Sequence, residues 1–178
     1  MSVDAQWGYA DPAGAEDAGP AHPDRVGAGR LAPRGAAWVA AHGGSGATTL
    51  ARVLGGADIG SRWPRTDRGE PARVLLVART HAHGLEAASH TLNAMREGRH
   101  PAGMELVAVV LVADAPGSLP RPLVNRIRLL RSVAPVHRIP WIAQWRLGEQ
   151  PARLPGQIER LGRQLQELGV AVPGHRSY

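Results

Sequence analysis

Short apolar runs recur along the chain and predict four β-strands. The clearest run, Leu106–Val112, is continuous rather than alternating, which is typical of a parallel strand covered on both faces. The run Arg73–Arg79 is rich in branched apolar residues, and the run Ala36–Ala41 lies between a proline and a pair of glycines. A shorter run, Val136–Ile139, ends at Pro140 and predicts the fourth strand.

Between these runs, apolar residues recur at helical spacing. Residues 57–72 have no such period and predict a long loop, and residues 141–146 fit either a turn or one helical turn. Strands that alternate with helices favour an α/β fold, a small Rossmannoid sandwich with about four parallel strands and helices on both faces. The predicted helices span residues 48–54, 85–96, 123–132 and 157–168.

Composition divides the chain into three parts. Residues 1–34 are rich in Ala, Gly, Pro and Asp without a hydrophobic period, and they predict a disordered leader. The folded α/β domain is expected over residues 35–172, with a frayed tail at 173–178. No apolar run reaches eighteen residues, so no membrane span is predicted, and a cytoplasmic location is expected.

Charge and residue usage limit the chemistry. The net charge is +6, all 21 basic residues are arginine, and the sequence contains neither lysine nor cysteine. Thiolate metal sites and lysine chemistry are therefore excluded for these 178 residues. The arginine-rich surface predicts either a weak association with DNA or simply a solubilising role for arginine.

The glycine-rich turn after the first strand is the strongest candidate site. Its frame, Ala41–Thr48, has the spacing of a phosphate-binding loop, but Ala47 stands where the loop lysine is expected. Backbone N–H groups and the helix dipole can still attract an anion there. The candidate phosphate- or nucleotide-binding residues are His42, Gly43, Gly44, Ser45, Gly46, Ala47, Thr48, Thr49 and Arg79.

The segment His42–Thr49 resembles the deviant phosphate loop of MinD/ParA-type ATPases, Lys-Gly-Gly-x-Gly-Lys-Thr-Thr. His42 stands at the signature lysine of that loop and Ala47 at its second lysine. The chain is also similar to degenerate members of that family encoded near plasmid and mobile-element genes of GC-rich bacteria. The resemblance extends over about residues 36–170, and it implies a P-loop-like fold.

The resemblance implies ATP or GTP as ligand, with Mg²⁺ held by Thr48, and it implies a homodimer. It also implies an accessory or regulatory role, with an unknown protein partner, in the maintenance or transfer of a plasmid or mobile element. Both family lysines are absent, and no apolar strand ending in aspartate is predicted within residues 57–72. Asp58 matches the water-positioning aspartate of the family only by location. We therefore expect a non-catalytic or weakly active protein.

Two enzyme hypotheses remain open beside this one. In the first, a working NTPase or kinase-like enzyme uses the planar guanidinium of Arg79 in place of the lysine. In the second, His81 and His83, together with His42, hold Zn²⁺ in a metal hydrolase with Asp114 as fourth ligand or base. Parallel topology would bring all of these residues to one sheet edge, at the carboxyl ends of the strands.

Overall fold

A computed structural model of the protein describes residues 35–170. The predicted leader, the predicted tail and residues 171–172 of the predicted domain lie outside the described residues. The described strands form a single sheet in which every neighbouring pair is parallel. Its strands are β1 (Ala37–Ala40), β2 (Ala57–Gly60), β3 (Arg73–Arg79), β4 (Glu105–Val112) and β5 (Val136–Ile139).

Helices follow every strand except β2 and cover both faces of the sheet, which confirms the predicted α/β class. The strand order is β2-β1-β3-β4-β5, one of the two common doubly wound orders. Residues 141–146 contain a one-turn helix, which was one of their two predicted forms. The helices are α1 (Ala47–Leu54), α2 (Ala82–Arg96), α3 (Arg121–Arg131), α4 (Ala143–Arg146) and α5 (Gly156–Glu167).

The sheet has five strands rather than four, so the prediction of one long loop over residues 57–72 is wrong. Ala57–Gly60 forms β2, and Thr66–Arg68 forms a short 3₁₀ turn. The strand β2 lies at the edge of the sheet and pairs only with β1, in a register that places Asp58 beside Trp38. Only Ile59 of β2 is buried, which is why the strand leaves no apolar run in the sequence.

Alternate residues of the strands point to two separate cores. Leu75 and Val77 of β3 pack with α1 and α5, whereas Val74, Leu76 and Ala78 pack with α2 and α3. The helices that follow β1 and β3 therefore lie on opposite faces of the sheet. Within residues 35–170, no helix combines the length and the apolar character that a membrane crossing requires.

Trp38 connects β1 to the end of α1. Its side chain is fully buried, and its indole Nε1–H donates to the carbonyl oxygen of Gly55 at 2.6 Å. A buried indole usually needs such a partner. This bond fixes the end of α1, and thereby the direction in which the helix leaves the glycine loop.

Candidate functional site

The glycine loop opens into a cleft between β1 and β3. Because α1 and α2 leave the sheet on opposite faces, their preceding loops diverge at this point, where doubly wound proteins bind ligands. The cleft has a volume of about 340 Å³. Its lining contains all nine candidate phosphate-binding residues together with Ala40, Asp58 and Gly60.

Two glycines give the loop its shape. Gly44 and Gly46 have φ angles of +73° and +100°, a region that side chains with a Cβ rarely adopt. The N–H of Ser45 donates to the oxygen of His42 at 3.3 Å, and the N–H of Leu50 donates to the oxygen of Gly46 at 3.0 Å. This turn precedes α1 directly, as the sequence predicts.

The first turn of α1 leaves backbone donors free. The buried hydroxyl of Ser45 accepts from the N–H of Ala47 at 3.4 Å. The N–H groups of Thr48 and Thr49 have no protein acceptor among residues 35–170. Free N–H groups at a helix N-terminus favour an anion. The start of α1 therefore presents two backbone donors to the cleft.

His42 ties the loop to the end of β3. Its Nε2 accepts a hydrogen bond from the backbone N–H of Arg79 at 3.0 Å, and its Nδ1 lies 2.8 Å from the oxygen of Gly43. A neutral ring with the proton on Nδ1 satisfies both contacts, because Nδ1–H donates while Nε2 accepts. His42 thus acts as a neutral brace.

We expect His42 to titrate below the ordinary histidine range. Burial lowers the pKa of His42 from 6.5, as do His81, His83 and Arg79 to a smaller extent, while the bond to Gly43 opposes the shift. Since the unfolded chain then binds more protons below pH 6.5, this contribution to stability is complete above pH 6.5 and is lost as pH falls through the folded-state pKa. NMR titration of its Cε1 proton should give a midpoint below that in urea. An equal or higher midpoint would contradict a neutral, hydrogen-bonded His42 in the folded protein.

Arg79 holds the opposite wall of the cleft. Its Nε donates to the oxygen of Gly44 at 3.1 Å, and its Nη1 donates to the oxygen of Ala113 at 2.9 Å. The guanidinium is half-buried, and it forms no salt bridge within the described part of the chain. Burial lowers the pKa of Arg79, while Asp114 opposes this shift. A fixed positive charge therefore stands beside the glycine loop.

The three predicted histidines come together, and two of them, His42 and His81, bind backbone groups through their rings. The ring centroid of His42 lies 5.2 Å from that of His81 and 6.4 Å from that of His83. The Nδ1 of His81 accepts from the N–H of Gly84 at 2.9 Å and caps α2. This cap explains why α2 begins at Ala82, three residues before the predicted start.

Among residues 35–170, no group of three or more His, Asp or Glu side chains could hold a metal ion. The predicted fourth ligand, Asp114, has its backbone N–H bound to the hydroxyl of Thr80 at 3.1 Å. Nε2 of His42 and Nδ1 of His81 already accept backbone hydrogen bonds, so these two nitrogens are not free to bind zinc.

Asp58 lines the cleft together with Thr48, although the sequence singled it out only by its location. Its neighbour Ile59 packs toward α2 and α3, so the alternation of β2 turns Asp58 toward α1. One carboxylate oxygen, Oδ1, accepts from the N–H of Gly60 at 3.1 Å. The other oxygen remains available beside the loop.

A second, smaller pocket lies on the other side of Arg79. It has a volume of about 60 Å³, and it includes Trp145, which the sequence did not indicate as a site residue. Trp145 lies on the one-turn helix α4, and the position of this helix beside the strand ends leaves no periodic signal in the sequence. The pocket extends the binding edge toward β5.

Comparison with curated proteins gave no match, and comparison with solved structures gave none either. A protein-family comparison matches residues 36–161, a span that includes all five strands and the whole cleft. This span exceeds half of the chain. The chain therefore belongs to the family of unknown function DUF6668.

Proposed function

We propose that this protein binds a phosphate-bearing ligand, a nucleotide such as ATP or GTP, in the cleft between β1 and β3 without hydrolysing it efficiently. The observation that carries the proposal is the pairing of a glycine loop, whose N–H groups at Thr48 and Thr49 are free, with the charged guanidinium of Arg79. Backbone donors and a guanidinium are two groups that proteins use to bind phosphate.

Arg79 supplies charge at the cleft, but its position differs from that of a mobile lysine. Two of its five N–H donors hold the carbonyls of Gly44 and Ala113, so its side chain is fixed. The remaining three donors have no protein acceptor within residues 35–170. They suit binding of a ground-state phosphate better than following a phosphoryl group through transfer.

Two side chains of the cleft offer oxygen ligands that suit Mg²⁺. The hydroxyl of Thr48 and the carboxylate of Asp58 line the same wall and would hold the ion, which commonly keeps several waters and takes one or two protein oxygens. Bound there, Mg²⁺ would neutralise phosphate charge. Asp58 is the only acidic residue in the cleft lining, so a second carboxylate for positioning water is missing there. This lack supports a binding role.

We propose an accessory or regulatory role, with a protein partner, in the maintenance or transfer of a plasmid or mobile element. The support for this role is the likeness of His42–Thr49 to the loop of MinD/ParA-type ATPases. A homodimer and a weak association with DNA belong to the same proposal.

Nucleotide binding is tested by thermal unfolding with increasing ATP-Mg²⁺ or GTP-Mg²⁺. At a hundred times its Kd, one of them should stabilise the protein by about 2.7 kcal/mol. Gly44→Ala should weaken binding about tenfold, because a Cβ is strained at φ +73° and the loop relaxes. The matched control is Gly98→Ala, which has φ +75° at the far end of α2 and equally open surroundings.

The proposal fails if neither nucleotide stabilises the wild-type protein, or if Gly44→Ala and Gly98→Ala bind nucleotide equally well. Phosphate release, measured in parallel, should stay at the background rate. Turnover that disappears in Arg79→Gln would contradict the non-catalytic part and favour the arginine-dependent NTPase.

A further inference from the structure

The polar side chains of the small pocket beside Arg79 are almost all hydrogen-bond donors. Its polar side chains are the guanidinium groups of Arg79 and Arg146, the indoles of Trp141 and Trp145, and the hydroxyl of Thr49. The pocket lining contains no carboxylate, amide or imidazole. Of these five groups, only the hydroxyl can also accept a hydrogen bond. Such a lining suits an anion.

Trp145 carries an unmet donor. Its Nε1–H is buried, and it is the only buried side-chain nitrogen or oxygen in the described part of the chain without a hydrogen-bond partner. Leaving a buried donor unpaired costs about 1–3 kcal/mol, and native proteins rarely leave one. Trp145 lies in the wall of the pocket, so a group bound there could supply the missing acceptor after a small turn of the indole ring.

Two arginines without carboxylate partners stand at the same pocket. Neither Arg79 nor Arg146 forms a salt bridge among residues 35–170. Burial lowers the pKa of Arg79, Asp114 opposes this shift, and the charge of Arg146 lowers the pKa further, so the two guanidinium groups repel each other. The guanidinium carbon of Arg146 lies 5.3 Å from the ring centroid of Trp141, a cation–π contact that orients it. An anion between the two arginines would relieve their repulsion.

The size of the pocket selects a small group. Its volume of about 60 Å³ has room for roughly four water-sized atoms. We propose that this pocket, which adjoins the glycine loop at Gly46 and Thr49, is an oxyanion site that takes one phosphoryl group and satisfies it with Trp145 Nε1–H and the two guanidinium groups. The phosphoryl group comes either from free inorganic phosphate or from the ligand in the cleft, because Arg79 lines both spaces.

The indole N–H of Trp145 reports directly on occupancy. In ¹⁵N-labelled full-length protein, titration with inorganic phosphate at constant pH and ionic strength should move the Trp145 indole signal downfield and saturate. Trp145→Phe assigns that signal by its loss. The indole signal of Trp38, which already donates to Gly55, should remain in place. A Trp145 signal that moves with neither inorganic phosphate nor ATP-Mg²⁺, or an equal shift with sodium chloride, would overturn the proposal.

Affinity gives a second readout. Trp145→Phe keeps an aromatic ring but removes the donor, and it should weaken phosphate binding at least tenfold in calorimetry, as should Arg146→Gln. The control Arg153→Gln removes the same charge from an exposed position outside the pocket and should leave affinity unchanged. Unchanged phosphate affinity in Trp145→Phe would rule out the indole as a ligand.

Two further arms identify the source of the phosphoryl group. If free phosphate moves the Trp145 signal in both wild-type and Gly44→Ala protein, the pocket binds phosphate on its own. If only ATP-Mg²⁺ moves it, and Gly44→Ala prevents this, the group belongs to the cleft ligand. The oxyanion site fails if neither probe moves the signal, even where ATP-Mg²⁺ stabilises the protein. If the protein binds phosphate but no nucleotide, the proposed function is refuted and the oxyanion site stands.

Discussion

Gly84→Ala is expected to lower the free energy of unfolding by about 3 kcal/mol, at the upper end of the usual range for overpacking. A Cβ at residue 84 would stand 2.4 Å from the carbonyl oxygen of Arg79 and 2.9 Å from Nε2 of His42. The first of these atoms belongs to the backbone of a central strand and cannot rotate away. The start of α2 must therefore move from the end of β3.

The same movement should loosen the candidate site, because Gly84 packs against the bond between His42 and Arg79. Denaturant unfolding measures the loss of stability, and nucleotide titration measures the loss of binding. Gly43→Ala is the control within the loop: a Cβ there meets no atom within 4 Å, and a change within 0.5 kcal/mol is expected. Equal stability of the two variants would show that the close approach of α2 to β3 is not tight.

Arg79→Gln is expected to weaken nucleotide binding by about 100-fold. The substitution removes a charge from the cleft together with a planar donor fork, and a hydrogen bond to a charged group contributes about 1.5–3 kcal/mol. It also releases the carbonyls of Gly44 and Ala113, so the loop loses its connection to β4. Calorimetry with ATP-Mg²⁺ and GTP-Mg²⁺ measures the affinity.

Arg52→Gln controls for net charge in this experiment. Arg52 lies exposed in the last turn of α1, away from the cleft lining, and its loss should change affinity less than twofold at physiological salt because of screening. Comparable losses in the two variants would mean that Arg79 acts only through the overall charge of the protein. Thermal unfolding of both variants distinguishes weaker binding from a damaged fold.

The sequence predicts the central strands and the long helices well, because buried strands require continuous apolar runs and packed helices require apolar residues at helical spacing. Val74–Ala78 and Ala108–Leu111 are fully buried between two layers of helices and can only be apolar. The edge strand β2 escapes prediction because only Ile59 must be buried, while Asp58 and Gly60 face solvent and resemble a loop. Its pairing with β1 depends on distant backbone, which local sequence does not encode.

For the candidate site, the sequence predicts where the residues lie but not what each side chain contacts. Glycine spacing predicts the loop, and parallel topology predicts that His42, Arg79 and His81 meet at one edge. What each side chain does there depends on atoms of other segments. The histidines resemble metal ligands in sequence, yet the structure uses His42 to brace β3 and His81 to cap α2. Trp145 gains significance only once its neighbours are known.

The double connection between residue 79 and the loop also affects the thermodynamics of binding. The backbone N–H of Arg79 donates to His42, and its side chain donates to the carbonyl oxygen of Gly44. These two hydrogen bonds hold the loop in place before any ligand binds. A loop that is already ordered spends little conformational entropy on association. The loop should therefore keep the same conformation in the free and the bound protein. We expect a rapid on-rate and a heat capacity change set by the buried ligand surface alone.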